Sequence, residues 1–135
     1  MRIYPRETVV AEKFQAMVYL GISNSRMKDF YDLLFLAKNF EFKGQILKEA
    51  IEATFKRRKT SISEEIPLAL TEEFTQNLAK EKAWKGFLNK NQLEPENPTL
   101  RDIIEELKLF LIPPYIAISK NQVFEKTWRP DQKWL

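Results

Sequence analysis

Apolar residues recur along most of this chain at helical spacing. Over residues 7–20, Val10, Phe14, Met17 and Val18 fall on one side of a helix that ends near Gly21. Over residues 24–38 an Asn-Ser pair suited to capping precedes Met27, Phe30, Tyr31, Leu33, Leu34, Phe35 and Leu36, which cover most of a helix's circumference. The link over residues 22–25 is short, so these two helices are predicted to pack as an antiparallel hairpin. A third helix is predicted over 44–59, with Ile46, Leu47, Ala50, Ile51, Thr54 and Phe55 inward. Thr71 opens a fourth, with Glu72 and Glu73 in its first turn and Phe74, Leu78, Ala79, Trp84, Phe87 and Leu88 on its apolar side. An irregularity is expected in it near residues 82–84. Thr99 caps the last helix, with Asp102 placed for a capping box, and Ile103, Ile104, Leu107, Phe110 and Leu111 form its core face. Pro113 and Pro114 are expected to stop it.

The rest reads as connection. Residues 1–6 form an extended lead-in, because Pro5 disfavours helix at Tyr4. Residues 60–70 form a loop packed through Ile62, Ile66 and Leu68, and 93–98 is a connector with two prolines. The tail, 115–135, is irregular: an extended arm or a two-stranded piece that docks through Trp128 and Trp134. The predicted fold is all-α, a helical bundle built on the hairpin, in a single domain of 135 residues.

Polar positions interrupt this pattern at informative places. Asp29 and Asp32 share one face of a helix that its apolar residues predict to be mostly buried, where two carboxylates demand partners: a cation, a metal or a charged substrate. Lys13 lies at the edge of the first helix's apolar stripe, where a lysine ordinarily keeps its amine in solvent. Arg26 and Lys28 oppose the dipole of the second helix. Lys28 can pair with Asp32 four residues on, which leaves Asp29 unexplained. Lys56, Arg57, Arg58 and Lys59 end the third helix, either complementing its dipole or forming an RNA or phosphate patch.

Composition narrows the chemistry. Without histidine or cysteine there is no Ser-His or Cys-His nucleophile system, no imidazole or thiolate metal ligand and no disulfide. The three glycines are isolated, so no glycine-rich phosphate loop exists. Carboxylates, lysines and arginines must carry the function. No apolar run spans a bilayer and the N-terminus lacks the apolar core of a secretion signal, which fits a cytoplasmic protein. The net charge of +3 admits a nucleotide or RNA partner without requiring one.

The segments YPRETVVAEKFQAMV, NSRMKDFYDLLFLAK, LKEAIEATFKRRKT, LTEEF and AWKGFL, in this order, resemble the AbiEii/AbiGii toxin family from about Tyr4 to about Leu111. These are nucleotidyltransferases of the polymerase-beta superfamily, the toxin halves of bacterial toxin–antitoxin or abortive-infection systems. The resemblance implies that Lys13, Asp29 and Asp32 belong to a catalytic site, with Lys13, Arg26 and Lys28 toward the nucleotide. It also implies Mg²⁺ and a nucleoside triphosphate as cofactors of the full-length enzyme, an antitoxin as partner, and an acceptor such as tRNA.

The family's Gly-Ser turn and D-x-D metal site, carried in an N-terminal α/β domain, have no counterpart here. The expectation is therefore the C-terminal helical half alone, inactive by itself: a truncated reading frame, an excised domain or one subunit of a split protein. Its partner would be the missing nucleotidyltransferase domain. The alternative is a non-catalytic helical module that binds an antitoxin, an RNA or itself.

Overall fold

The computed structural model describes residues 5–24, 26–91, 99–131 and 133–135. Among these are six α-helices and one small sheet, so the chain is mainly α as its periodicity predicts. The first helix, α1 (Pro5–Leu20), starts earlier than expected. A proline in the first turn lacks only an N–H that would have no helical partner anyway, so Pro5 and Arg6 are helical and not part of an extended lead-in. Residues 1–4 lie outside the described residues.

A short 3₁₀ turn, Gly21–Ser23, leads to α2 (Met27–Asn39). Asn24 is buried and shapes this turn without capping the helix: its side-chain oxygen accepts the Arg26 N–H at 2.7 Å. Lys80 donates to the Asn24 backbone carbonyl at 2.8 Å and pins the same turn. The α1–α2 pairing is present, but α1 lies more extensively along α3 (Gly44–Arg57) than along α2. Phe14 is the reason, since its ring meets Phe55 of α3 at 5.6 Å and Tyr115 at 5.5 Å. The bundle is thus organised by α1 against α3, with α2 and α3 both on the last helix.

The predicted fourth helix is two. A single turn, α4 (Glu72–Thr75), ends before Asn77, whose extended backbone and side-chain cap on the Lys80 N–H start α5 (Leu78–Lys90). The break falls at Asn77, and α5 runs unbroken through residues 82–84. It also turns Leu78 and Ala79 outward, against expectation. In the preceding loop Ile66 is exposed, and Ala69 and Leu70 are buried in its place.

The last helix, α6 (Leu100–Ser119), has the full Thr99–Asp102 capping box, yet it passes straight through Pro113 and Pro114. Pro114 frees the carbonyl of Phe110, four residues back, and the Trp134 indole N–H donates to that oxygen at 3.0 Å. The carbonyl that Pro113 frees belongs to Leu109, which is exposed to water.

Trp134 reaches α6 because the tail is ordered. Strands β2 (Thr127–Arg129) and β3 (Lys133–Trp134) form an antiparallel pair, and β2 also pairs with β1 (Phe42–Lys43) ahead of α3. The tail thus forms the two-stranded piece that was one of its two expected forms, and β1 extends it to a three-stranded sheet. Trp128 is buried and donates to the Ala37 carbonyl at 2.7 Å, and the tail docks on the end of α2. Gly44 permits this closure: an added Cβ there would lie 2.5 Å from the Phe124 ring and 2.6 Å from the Lys126 carbonyl.

Candidate functional site

Lys13 of α1 reaches across to the first turns of α2. Its ammonium lies 3.0 Å from Asp29 Oδ1 and 3.1 Å from Asp32 Oδ2. Arg26 Nε meets the other oxygen of Asp29 at 3.0 Å, and Lys28 meets Asp32 Oδ2 at 2.7 Å. Two carboxylates are thus held by three cations. Asp29, with its side chain only 8% exposed, is tolerated in the interior because both of its oxygens are engaged by charge-assisted partners.

Partial burial works against the charge on Lys13, but the hydrogen bonds and charges of Asp29 and Asp32 together outweigh it and raise the Lys13 pKa above 10.5. Burial likewise opposes the charge on Asp32, and Lys28 and Lys13 together overcome it and hold the carboxyl below 3.8.

The residue beside Lys13 extends the network. Glu12 accepts Arg57 on one oxygen and Arg58, at 2.7 Å, on the other, tying the end of α3 to the middle of α1. Sequence reading places both arginines in a surface patch and gives Glu12 no role. Their pairing depends on α1 lying along α3, which local spacing does not reveal. The four-residue basic run therefore divides. Arg57 and Arg58 join the site, whereas Lys56 and Lys59 are exposed and make no ion pair with the described residues.

A hollow of about 320 Å³ opens here, with Glu12, Lys13, Gln15, Arg26 and Arg58 among its lining. A second of similar size shares Gln15, Arg26 and Arg58 with it and continues toward Tyr19. The ion-pair network joins five cations (Lys13, Arg26, Lys28, Arg57, Arg58) to three carboxylates (Glu12, Asp29, Asp32), and of these the hollow itself is lined by Lys13, Arg26 and Arg58 against Glu12, an excess of two positive charges. Such a surface attracts a multiply charged anion, and the carboxylates fix the geometry of the cations without cancelling them. Among the described residues no group of three or more acidic side chains is placed to hold a metal ion, and no helix is long and apolar enough to cross a membrane.

No curated protein and no solved structure matches the chain. A family model does: "Nucleotidyl transferase AbiEii toxin, Type IV TA system" matches residues 1–106, well over half of the sequence and all of the elements that build the hollow. The chain belongs to the AbiEii nucleotidyl transferase toxin family of type IV toxin–antitoxin systems.

Proposed function

We propose that this chain provides the triphosphate-holding half of a nucleotidyltransferase site. What carries the reading is the hollow in which Lys13, Arg26 and Arg58 converge, each fixed by a carboxylate partner. In nucleotidyl transfer an acceptor hydroxyl attacks the α-phosphorus and releases its proton to water, the bond from the α-phosphorus to the bridging oxygen breaks, and pyrophosphate leaves with the negative charge. Lys13, Arg26 and Arg58 lie where cations can hold the β- and γ-phosphates and stabilise that leaving charge. Asp29 and Asp32 keep the Lys13 ammonium and the Arg26 guanidinium aimed into the hollow.

Mg²⁺ is expected of the family, but these carboxylates do not fit a metal site. Both oxygens of Asp29 and one of Asp32 are already taken by cations. The metal-binding carboxylates that two-metal transfer needs are then supplied by another domain or polypeptide carrying the Gly-Ser turn and D-x-D, and this chain alone transfers no nucleotide. Membership of a toxin–antitoxin family implies an antitoxin as its counterpart.

The test is thermal melting of the chain with each nucleoside triphosphate. Binding to the folded state raises stability by about 2.7 kcal/mol at a ligand concentration one hundred times Kd. Lys13→Ala and Arg58→Ala should each abolish the shift. Concentration-dependent self-association with no response to any triphosphate would replace this reading with that of an interaction module.

A further inference from the structure

Arg26 also lines a third hollow. It measures about 440 Å³ and lies between the start of α2 and one face of α5. Met27, Ala83 and Phe87 give it an apolar lining, and Arg26, Lys28 and Lys90 bring three cations to it against one carboxylate, Asp29, which Arg26 already engages, while Lys28 is shared with Asp32. The α5 helix is basic, with Lys80, Lys82, Lys85 and Lys90 against Glu81 alone. Gly86 also lines this hollow, in the interior of α5. Glycine is the poorest helix former after proline, so its presence there calls for a reason. Packing supplies none, since an added Cβ would meet nothing within 4 Å, and Gly86 is not among the residues with positive φ. What the missing side chain does is leave the wall of the hollow open beside Phe87, whose ring is half-buried and stacked on Trp84 at 5.5 Å.

We propose that this hollow seats a second nucleotide unit, its base against Ala83, Gly86 and Phe87 and its phosphate at Lys28 and Lys90. Flat apolar lining beside an aromatic ring suits a base, and nearby lysines suit a phosphate. The volume lies within the range of about 300–1,000 Å³ usual for small-molecule sites. The inference rests on the triphosphate reading of the Lys13 hollow only in placing the two units side by side, with Arg26 between them. A nucleoside monophosphate and the end of a nucleic-acid strand present the same chemistry to this surface.

The experiment follows amide NMR resonances of the isotopically labelled chain during titration with GMP or AMP and, separately, with a single-stranded RNA trinucleotide. The expected result is saturable movement of the Ala83, Gly86 and Lys90 signals. Gly86→Trp fills the hollow from open space and should weaken binding by about tenfold or more, the order of one lost stacking contact. Gly86→Ala controls for folding and should leave the spectrum dispersed. Lys90→Glu should weaken binding further as salt is lowered, because it reverses a phosphate contact. Tighter binding of the trinucleotide than of either monophosphate identifies a strand end, and equal binding identifies a free nucleotide. Lys13→Ala separates the two sites: it should leave the α5 shifts intact while removing the response to triphosphate. A wild-type chain that shows the α5 shifts but no response to any triphosphate would fault the reading of the Lys13 hollow and leave this one standing. Absence of shifts over residues 83–90 with both probes, or unchanged affinity in Gly86→Trp, overturns this one.

Discussion

Replacing Asp29 by Asn removes one negative charge from the most buried carboxylate of the site while keeping its shape. Two contacts depend on that charge, Lys13 on Oδ1 and Arg26 on Oδ2, both at 3.0 Å. Breaking a fully buried ion pair costs about 3–5 kcal/mol, because the survivor is left uncompensated. Neither survivor here is in that position. Lys13 keeps Asp32 at 3.1 Å, and the Arg26 side chain is 59% exposed and can turn to water. The amide oxygen can still accept from Lys13, but the amide N–H₂ then faces the Arg26 guanidinium, donor against donor. Hydrogen bonds to charged groups are worth about 1.5–3 kcal/mol, and the retained contacts put the net loss near the lower end, about 1–2 kcal/mol.

For a domain of this size that loss lowers Tm by several degrees, on the order of 3–10 °C. The assay is thermal and urea denaturation of the wild type, Asp29→Asn, Lys13→Ala and the double variant. The cycle should give a coupling of about 0.5–3 kcal/mol, as for residues in one ion-pair network. A higher Tm for Asp29→Asn, or strict additivity with Lys13→Ala, would refute the idea that Asp29 holds Lys13 in place.

Three further outcomes are expected. Both α3 and α6 end with a left-handed residue and the paired carbonyl contacts of a Schellman motif, using Lys59 (φ 53°) and Asn121 (φ 54°). Lysine is strained in that region where glycine is not, so Lys59→Gly should raise stability by about 1 kcal/mol in urea denaturation, and a loss would refute the assignment. Trp134→Phe orphans the Phe110 carbonyl and should cost about 1–2 kcal/mol, a penalty that shrinks when Pro114→Ala restores the helical N–H; equal penalties in both backgrounds would show that the indole bond does not replace the missing one. The site also sets pH limits. Asp32, held below 3.8 in the fold, contributes stability above that value and loses it as pH falls through its folded pKa. Lys13, raised above 10.5, contributes fully below that value and loses it as pH rises through its folded pKa. Urea midpoints of the wild type relative to Asp32→Asn and Lys13→Ala should therefore converge at the acid and alkaline ends respectively, and parallel profiles would contradict both assignments.

How far the sequence could be read follows from which forces act locally. The apolar stripes of α1, α2, α3 and α6 and the Thr99–Asp102 box are set within a few turns of chain, and they emerge where spacing puts them. Structure departs from local pattern where a distant partner decides the outcome. Pro113 and Pro114 end a helix only if the freed carbonyls go unsatisfied, and the group that satisfies one of them, Trp134, is 24 residues from Phe110. The break at Asn77 was local and legible, because an asparagine followed three residues later by a helical N–H is a cap signal. The run of apolar residues on both sides of it concealed that signal.

The same division separates the two halves of the candidate site. Asp29 and Asp32 were conspicuous because charge on an apolar helix is a conflict visible at i,i+3 spacing, and such a conflict demands a cation from somewhere. Arg57 and Arg58 created no conflict, since a helix C-terminus accommodates basic residues without help. Only the packing of Phe14 on Phe55 brings Glu12 over that terminus and draws one of the arginines into the hollow beside Lys13. A residue that is locally comfortable gives no sign of which partner it meets. The cation that completes the site is therefore one that sequence reasoning leaves between a helix-dipole role and a separate RNA or phosphate patch, and its position depends on the α1–α3 contact more than on the hairpin that carries the aspartates.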